Sequence, residues 1–103
     1  MAVIVSFATP KGIGSIHSPH IGAVRAREDI TVPGSTTAAA QNGEIAVIAN
    51  GEASIVAAAF GTTPDAAATA ETTATSAGFG IPAGAVVMVP LKTGDKINIK
   101  ALA

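Results

Sequence analysis

Glu44-Ile45-Ala46-Val47-Ile48-Ala49-Asn50-Gly51-Glu52-Ala53-Ser54-Ile55-Val56-Ala57-Ala58-Ala59-Phe60 is the stretch whose reading decides the fold. Two β-rich runs, Glu44–Ala49 and Ala53–Phe60, are separated by Asn50-Gly51, with Glu52 following. Asn-Gly accepts positive φ at both central positions of a type I′ turn, whose twist matches that of paired strands. The spacing therefore predicts a β-hairpin. Ile45, Val47 and Ala49 share one face of its first strand, and Ile55, Ala57 and Ala59 share one face of its second.

Further strands flank this unit. Towards the N-terminus, Ala2–Ala8 alternates Val3, Val5 and Phe7 against Ala2, Ile4 and Ser6, a strand with one stronger face. Thr9–Gly22 carries Pro10, Gly12, Gly14, Pro19 and Gly22, enough breakers to predict an extended arm or wandering loop, irregular in either case, over 9–22. Ile21–Val32 reads as one or two short strands closed by Pro33-Gly34, and Ser35–Asn42 as a connection. Towards the C-terminus, Gly61–Gly80 (61–80) is an irregular, Ala- and Thr-rich excursion in which Thr shortens any helical turn around Ala66–Thr73. After Ile81-Pro82-Ala83-Gly84 the sheet resumes. Ala85–Leu91 is apolar enough to be covered on both faces, and Thr93-Gly94 makes a turn. Asp95–Leu102 then alternates Ile97, Ile99 and Ala101 inward with Asn98, Lys100 and Leu102 outward. Short strands at turn-punctuated spacing predict an all-β fold: a small antiparallel β-sandwich or jelly-roll-like barrel with an extended N-terminal region and a long Ala/Thr-rich loop.

Composition agrees with that class. The chain has 103 residues, the length of one domain, taken as 1–103. Val and Ile together number 20 against two Leu, and Thr numbers 11. Residues branched at Cβ lose rotamer freedom in helices and fit a pleated sheet. Ala supplies 23 positions and aromatics only 3%, so the apolar fraction of 49% overstates the volume available to fill a core. Charged residues are 13%, about half the usual share of roughly 25%. With a net charge of −1, little repulsion opposes self-association, and a protomer covered by neighbours is expected. No basic stripe, Tyr or Trp exists to neutralise phosphates or stack bases, which argues against nucleic acid as a partner. Apolar runs fall far short of the ~18 residues that would span a membrane. The N-terminal Met1–Ala8 lacks the basic region of a secretory leader, so a product kept in the cytosol, unless exported in a particle, is expected. No Cys is present, which excludes disulfides and thiolate chemistry.

Residues that carry chemistry form no complete constellation. His17-Ser18-Pro19-His20, with Glu28 and Asp29 downstream, contains metal-ligating types, yet two imidazoles fall short of a closed site and solvated loop histidines are the plainer reading. Thr9-Pro10-Lys11-Gly12-Ile13-Gly14-Ser15 places its lysine before the glycines, where a phosphate-binding loop needs it after them. No Gly-x-Ser-x-Gly elbow supports a Ser/His/Asp triad. Arg25, Arg27, Glu28 and Asp29 read as a solvated or intersubunit charge cluster. A sugar platform would have only Phe7, Phe60 and Phe79 to draw on, and Phe7 belongs to the core face. These readings predict no catalytic, cofactor-binding or metal-binding residues, no cofactor, and no enzyme.

One resemblance extends the reading. Glu44-Ile45-Ala46-Val47-Ile48-Ala49, Ser54-Ile55-Val56-Ala57, Phe60-Gly61-Thr62-Thr63-Pro64-Asp65-Ala66, Ile81-Pro82-Ala83-Gly84 and Thr93-Gly94-Asp95-Lys96-Ile97-Asn98-Ile99-Lys100 occur in an order that resembles small virion structural proteins of tailed bacteriophages. The likeness covers Glu44 to Leu102, and the Ala/Thr-rich segment before Ile81 and the glycine-rich N-terminal region depart from it. Such proteins resemble capsid decoration or cement proteins. The resemblance implies β-sandwich or jelly-roll protomers that form homo-oligomers, typically trimers, on the major capsid protein and stabilise the phage head. It implies a virion location after assembly in the host cytoplasm. A tail or head-fibre component, or a ligand- or sugar-binding module in host attachment, is the alternative.

Overall fold

The computed structural model describes residues 2–13, 15–67 and 78–101, with side chains omitted over 10–22. The described residues form eight strands and no helix: β1 (Val3–Ile13), β2 (Ser15–Ile30), β3 (Gly34–Ser35), β4 (Ile45–Asn50), β5 (Val56–Gly61), β6 (Phe79–Ile81), β7 (Val86–Pro90) and β8 (Lys96–Ala101). They make two four-stranded antiparallel sheets, ordered β2-β1-β4-β7 and β3-β8-β5-β6. The pairs β5·β6, β4·β7 and β3·β8 are nested in sequence, and successive pairs alternate between the sheets. That is a strand ribbon rolled into a double-layered sandwich, in the manner of a jelly roll. β1 fills the inner position beside β2 that a ninth strand would otherwise take, so Ala2 and Ala101 flank the same 51–56 corner: the Gly51 N–H donates to the Ala2 carbonyl (3.1 Å), and Ala101 pairs with Val56.

Alternation along the strands builds the core as expected. Val3, Val5 and Phe7 are fully buried, together with Ile48 of β4 and Ile97 and Ile99 of β8. Ile30, Ala46, Val56, Ala58, Ile81 and Val89 complete the inner faces. Ala46 and Ala58 supply little volume, so the Ile residues and Phe7 carry the packing. Truncating Phe7 to alanine would cost about 3–5 kcal/mol. A second, smaller cluster lies outside the β5 sheet, where Ala66 covers Ala57 and Ala59. Ala101, expected inward, is exposed, and Asn98, expected outward, is buried beneath the 65–67 loop through a hydrogen bond from the Ala66 N–H to its Oδ1 (2.8 Å).

The Asn50-Gly51 hairpin does not form. β4 and β5 belong to opposite sheets, and Gly51 does not have positive φ, so the dipeptide is the corner that carries the chain from one layer to the other. The Asn50 side chain, 2% exposed, donates through Nδ2 to the carbonyls of Ile81 (2.9 Å) and Ser54 (3.1 Å), and its Oδ1 accepts the Glu52 N–H (2.9 Å). An apolar run on each side of Asn-Gly suits a corner as well as a hairpin, and the buried side-chain bonds select the corner. Gly51 is needed there for closeness: a Cβ would lie 2.6 Å from the Ala2 carbonyl oxygen. The Thr93-Gly94 turn does form, with Gly94 at φ 93°.

Three other expectations change. The segment 9–22, expected to be an extended arm or wandering loop, is extended and, over its described residues, paired as strand: β1 and β2 run past the sandwich as a ribbon, Pro10 opposite Ile21 and Lys11 opposite His20, with bulges absorbing the breakers. Of Ile21–Val32, expected as one or two short strands, the part up to Ile30 is the end of the 16-residue β2, and Thr31 and Val32 lie past it. Ala85–Leu91 is not covered on both faces: β7 is an edge strand, with Val86 59% and Met88 45% exposed. Of the excursion 61–80, Gly61 ends β5 and Phe79 and Gly80 begin β6, while the stretch 68–77 lies outside the described residues. Its described ends meet, because a Cβ on Gly78 would collide with the Ala66 carbonyl.

The corner yields a direct test. Gly51→Ala should lower unfolding stability by about 1–3 kcal/mol in urea denaturation, since the added methyl must push the start of β1 aside. The exposed neighbour Ser54→Ala should stay within about 0.5 kcal/mol of the parent. An unchanged Gly51→Ala midpoint would mean that Ala2 does not pack against the corner.

Candidate interaction surface

The charges near β2 are ties within the chain. A bulge between Phe7 and Ala8 leaves Arg25 out of the β1·β2 register, and bulges re-aim the side chains they carry. Arg25 Nε donates to Glu44 Oε2 (2.7 Å), and its Nη2 donates to Glu44 Oε1 (2.9 Å) and to the Ala39 carbonyl (2.8 Å). The guanidinium also lies 5.8 Å from the centroid of the Phe7 ring. Glu44 is 4% exposed and accepts the Gln41 N–H as well (2.8 Å). These donors hold its carboxyl below the usual glutamate range, the Arg25 hydrogen bond most of all, although burial opposes the shift. Glu28 accepts the N–H groups of Thr37 and Ala38, both at 2.8 Å. Arg27 and Asp29 make an exposed pair at 3.2 Å, a geometry that contributes little to stability. The expected solvated or intersubunit cluster is thus mostly an internal clasp that holds the 31–44 connection against the sandwich.

The other singled-out residues are not brought together. His17 and His20 lie on β2, outside the described side chains. Glu28 stands eight residues further along that strand than His20, roughly 25 Å in extended chain, so these acids and imidazoles do not converge. Among the described residues no group of three or more His, Asp or Glu is placed to hold a metal. The glycine and lysine stretch from Thr9 runs as strand and leads into β2, whereas a phosphate-binding loop leads into a helix. Phe60 and Phe79 pack edge to face, ring centroids 6.3 Å apart, against the core, and Phe7 is fully buried. On the β5 sheet, Lys100 Nζ meets Asp65 Oδ1 at 2.7 Å, and this bond first, then the Ala67 N–H, lowers the Asp65 carboxyl.

What the geometry does gather is an apolar surface. Residues that alternate with the core positions face outward in rows across the first sheet: Asp29, Ile4, Ala49, Val86 in one, and Arg27, Ser6, Val47, Met88 in the next. Each row runs from charged at β2 to apolar at β7. Ile4, Val47 and Ala49 are half-buried, and Val86 and Met88 are the most open. Sequence reading missed this surface because Val86-Val87-Met88-Val89 carries no polar alternation to mark which face, or which edge, meets solvent.

The Glu44 clasp gives the acid behaviour a sign. Because the folded carboxyl titrates below its unfolded value, its contribution to stability is present above the ordinary glutamate range and is lost as pH falls through the folded value. Urea midpoints should therefore separate the parent from Glu44→Gln at neutral pH and converge as the solution is acidified. Parallel curves would mean that the carboxylate is not the titrating tie.

Neither a known protein family, nor a curated protein, nor a solved structure is matched by the chain.

Proposed function

We propose that this chain is a non-catalytic structural component of a larger particle, a capsid decoration or cement protein that oligomerises on the head of a tailed bacteriophage. The observation that carries the reading is the outer face of the first sheet. Its rows end on β7 in Val86 and Met88, both more than two-fifths exposed, on a chain with only 13% charged residues. A small domain that leaves apolar side chains contiguous and open gains free energy when a partner covers them, at roughly 25 cal/mol per Å² removed from water. The nested strand pairs match the sandwich or jelly-roll protomer that the resemblance to phage virion proteins implies. The clasped 31–44 connection and the Asn50 corner are tied to the sandwich by side-chain bonds, which suits a clamp that must hold shell subunits at a fixed spacing. The ribbon of β1 and β2 beyond Ala8 adds reach: the five residues of β1 from Thr9 to Ile13 extend about 15 Å past the sheet.

Heads assembled from the genome that encodes the chain, but lacking it, should bind the purified protein to a saturating number of copies in co-sedimentation. Bound heads should release their DNA at a higher temperature than bare ones. Heads that neither bind it nor gain stability would remove the capsid reading, and binding to tails or fibres in the same assay would transfer the protein there.

A further inference from the structure

The two edges of the first sheet are finished differently. β2 carries Arg25, Arg27, Glu28 and Asp29, and Glu28 ties it to the connection beside it. β7 carries no charge at all: Val86-Val87-Met88-Val89-Pro90. Strand edges that must stay single are guarded by charges, prolines or covering segments, because their free N–H and C=O groups otherwise template another strand. On β7 only Pro90 serves as such a guard.

The register shows which backbone groups β7 leaves free. The Asn50 N–H donates to the Ala85 carbonyl and the Leu91 N–H to the Glu44 carbonyl, with Ala49 opposite Val86, Val47 opposite Met88 and Ile45 opposite Pro90 between them. Bonded and non-bonded pairs alternate along an antiparallel ladder. Val87 and Val89 therefore turn their peptide groups to β4, as Ala85 does its carbonyl and Leu91 its N–H, while Val86, Met88 and Pro90 turn theirs to an edge that is open among the described residues. Pro90 lacks an N–H where no bond to β4 would need one, which is where a strand tolerates proline. The edge offers two donors, on Val86 and Met88, and three acceptors.

We propose that β7 pairs antiparallel with β7 of a second copy of this chain, about a twofold axis beside Met88. In that register Met88 faces Met88 of the other copy, and Val86 faces Pro90. Each Met88 N–H meets a Met88 carbonyl and each Val86 N–H meets a Pro90 carbonyl, so every free donor is used. The N–H that Pro90 lacks is missed only by a Val86 carbonyl at the ladder's open end. Moving the axis to Val87 keeps the donors paired but sets Pro90 against the turn at Gly84, where φ is 78°, so the whole strand is used only in the Met88 register. The pairing is isologous, as closed dimers require, and it joins the rows from Ile4 and Ser6 through Val86 and Met88 into an apolar band across one eight-stranded sheet. It gives a twofold pair where the phage resemblance implies a trimer. It rests on the β7 edge alone, so loss of capsid binding leaves it standing.

Sedimentation of the purified chain at rising concentration should show a species of twice 10.0 kDa. Met88→Lys should abolish it, while Val24→Lys, at a residue 53% exposed on the opposite edge, should leave it intact. Both sites are open enough for circular dichroism to confirm that each variant folds. Register is read by cross-linking, since the chain has no cysteine of its own. A thiol bridge spanning under about 8 Å should join two Met88→Cys copies, whose α-carbons would be about 5.5 Å apart in a bonded pair. It should fail for Val86→Cys, whose copies are offset by four residues, roughly 14 Å along the strands. A monomer, a trimer, a dimer that survives Met88→Lys, or cross-linking favouring Val86→Cys would each overturn the pairing.

Discussion

Asn50 is the residue on which the two layers depend. Its backbone holds β4 to the start of β7, through its N–H to the Ala85 carbonyl and its own carbonyl to the Gly84 N–H, both at 2.9 Å. Its side chain reaches the other sheet, bonding Ile81 at the end of β6 and shaping the 51–54 corner. A buried amide is stabilising only when its groups are satisfied, and here both the donor end and the acceptor end are engaged. An apolar residue in its place would leave the Ile81 carbonyl without this donor inside the sandwich, and would release the corner that brings Ala2 against Gly51.

Polar ties matter more here than in a larger core because the apolar filling is thin. Ala accounts for much of the interior, from Ala46 and Ala58 between the sheets to Ala57, Ala59 and Ala66 outside them. Small side chains let backbones approach closely but bury little area each. The second sheet and the connections beside it are held instead by side-chain bonds. Thr36 accepts the Ile97 N–H at 3.1 Å, Asn98 reaches Ser35 Oγ at 2.8 Å and the Ala66 N–H, and Asp95 Oδ2 accepts the Lys92 N–H at 2.9 Å. Each is short, polar and mostly shielded from water, the combination in which a hydrogen bond specifies geometry.

Much of this was legible in the sequence, and the misses share a cause. The alternation of Val3, Val5 and Phe7 and of Ile97 and Ile99 identified inward faces correctly, because period-two patterning is a local property that burial enforces. Asn50-Gly51 misled because the dipeptide encodes a tight bend but not whether the next strand folds back on the last one or crosses to another sheet. That choice is made by Ile81, 31 residues on, which accepts the Asn50 amide. The glycines and prolines of 9–22 misled in a similar way: two paired strands absorb breakers in bulges that a single strand could not. Of the interaction surface the sequence showed the cause, scarce charge and abundant small residues, but not the place. Only the strand order reveals that Val86 and Met88 stand at an edge while the equally apolar Ile48 is enclosed.

The placement of charge ties these points together. With so few ionic groups, using Arg25, Glu28 and Glu44 to clasp the 31–44 connection leaves the opposite flank without any. A net charge of −1 adds almost no long-range repulsion between copies. On the proposed β7 pairing, selection rests on shape, backbone hydrogen bonds and apolar burial, all short-range terms that salt screens weakly. On the β2 flank Arg27 and Asp29 remain exposed at 59% and 57% and keep their water. A single small sheet therefore has one edge finished with charge and one left apolar, and the charges that mark the first are among those that hold the 31–44 connection.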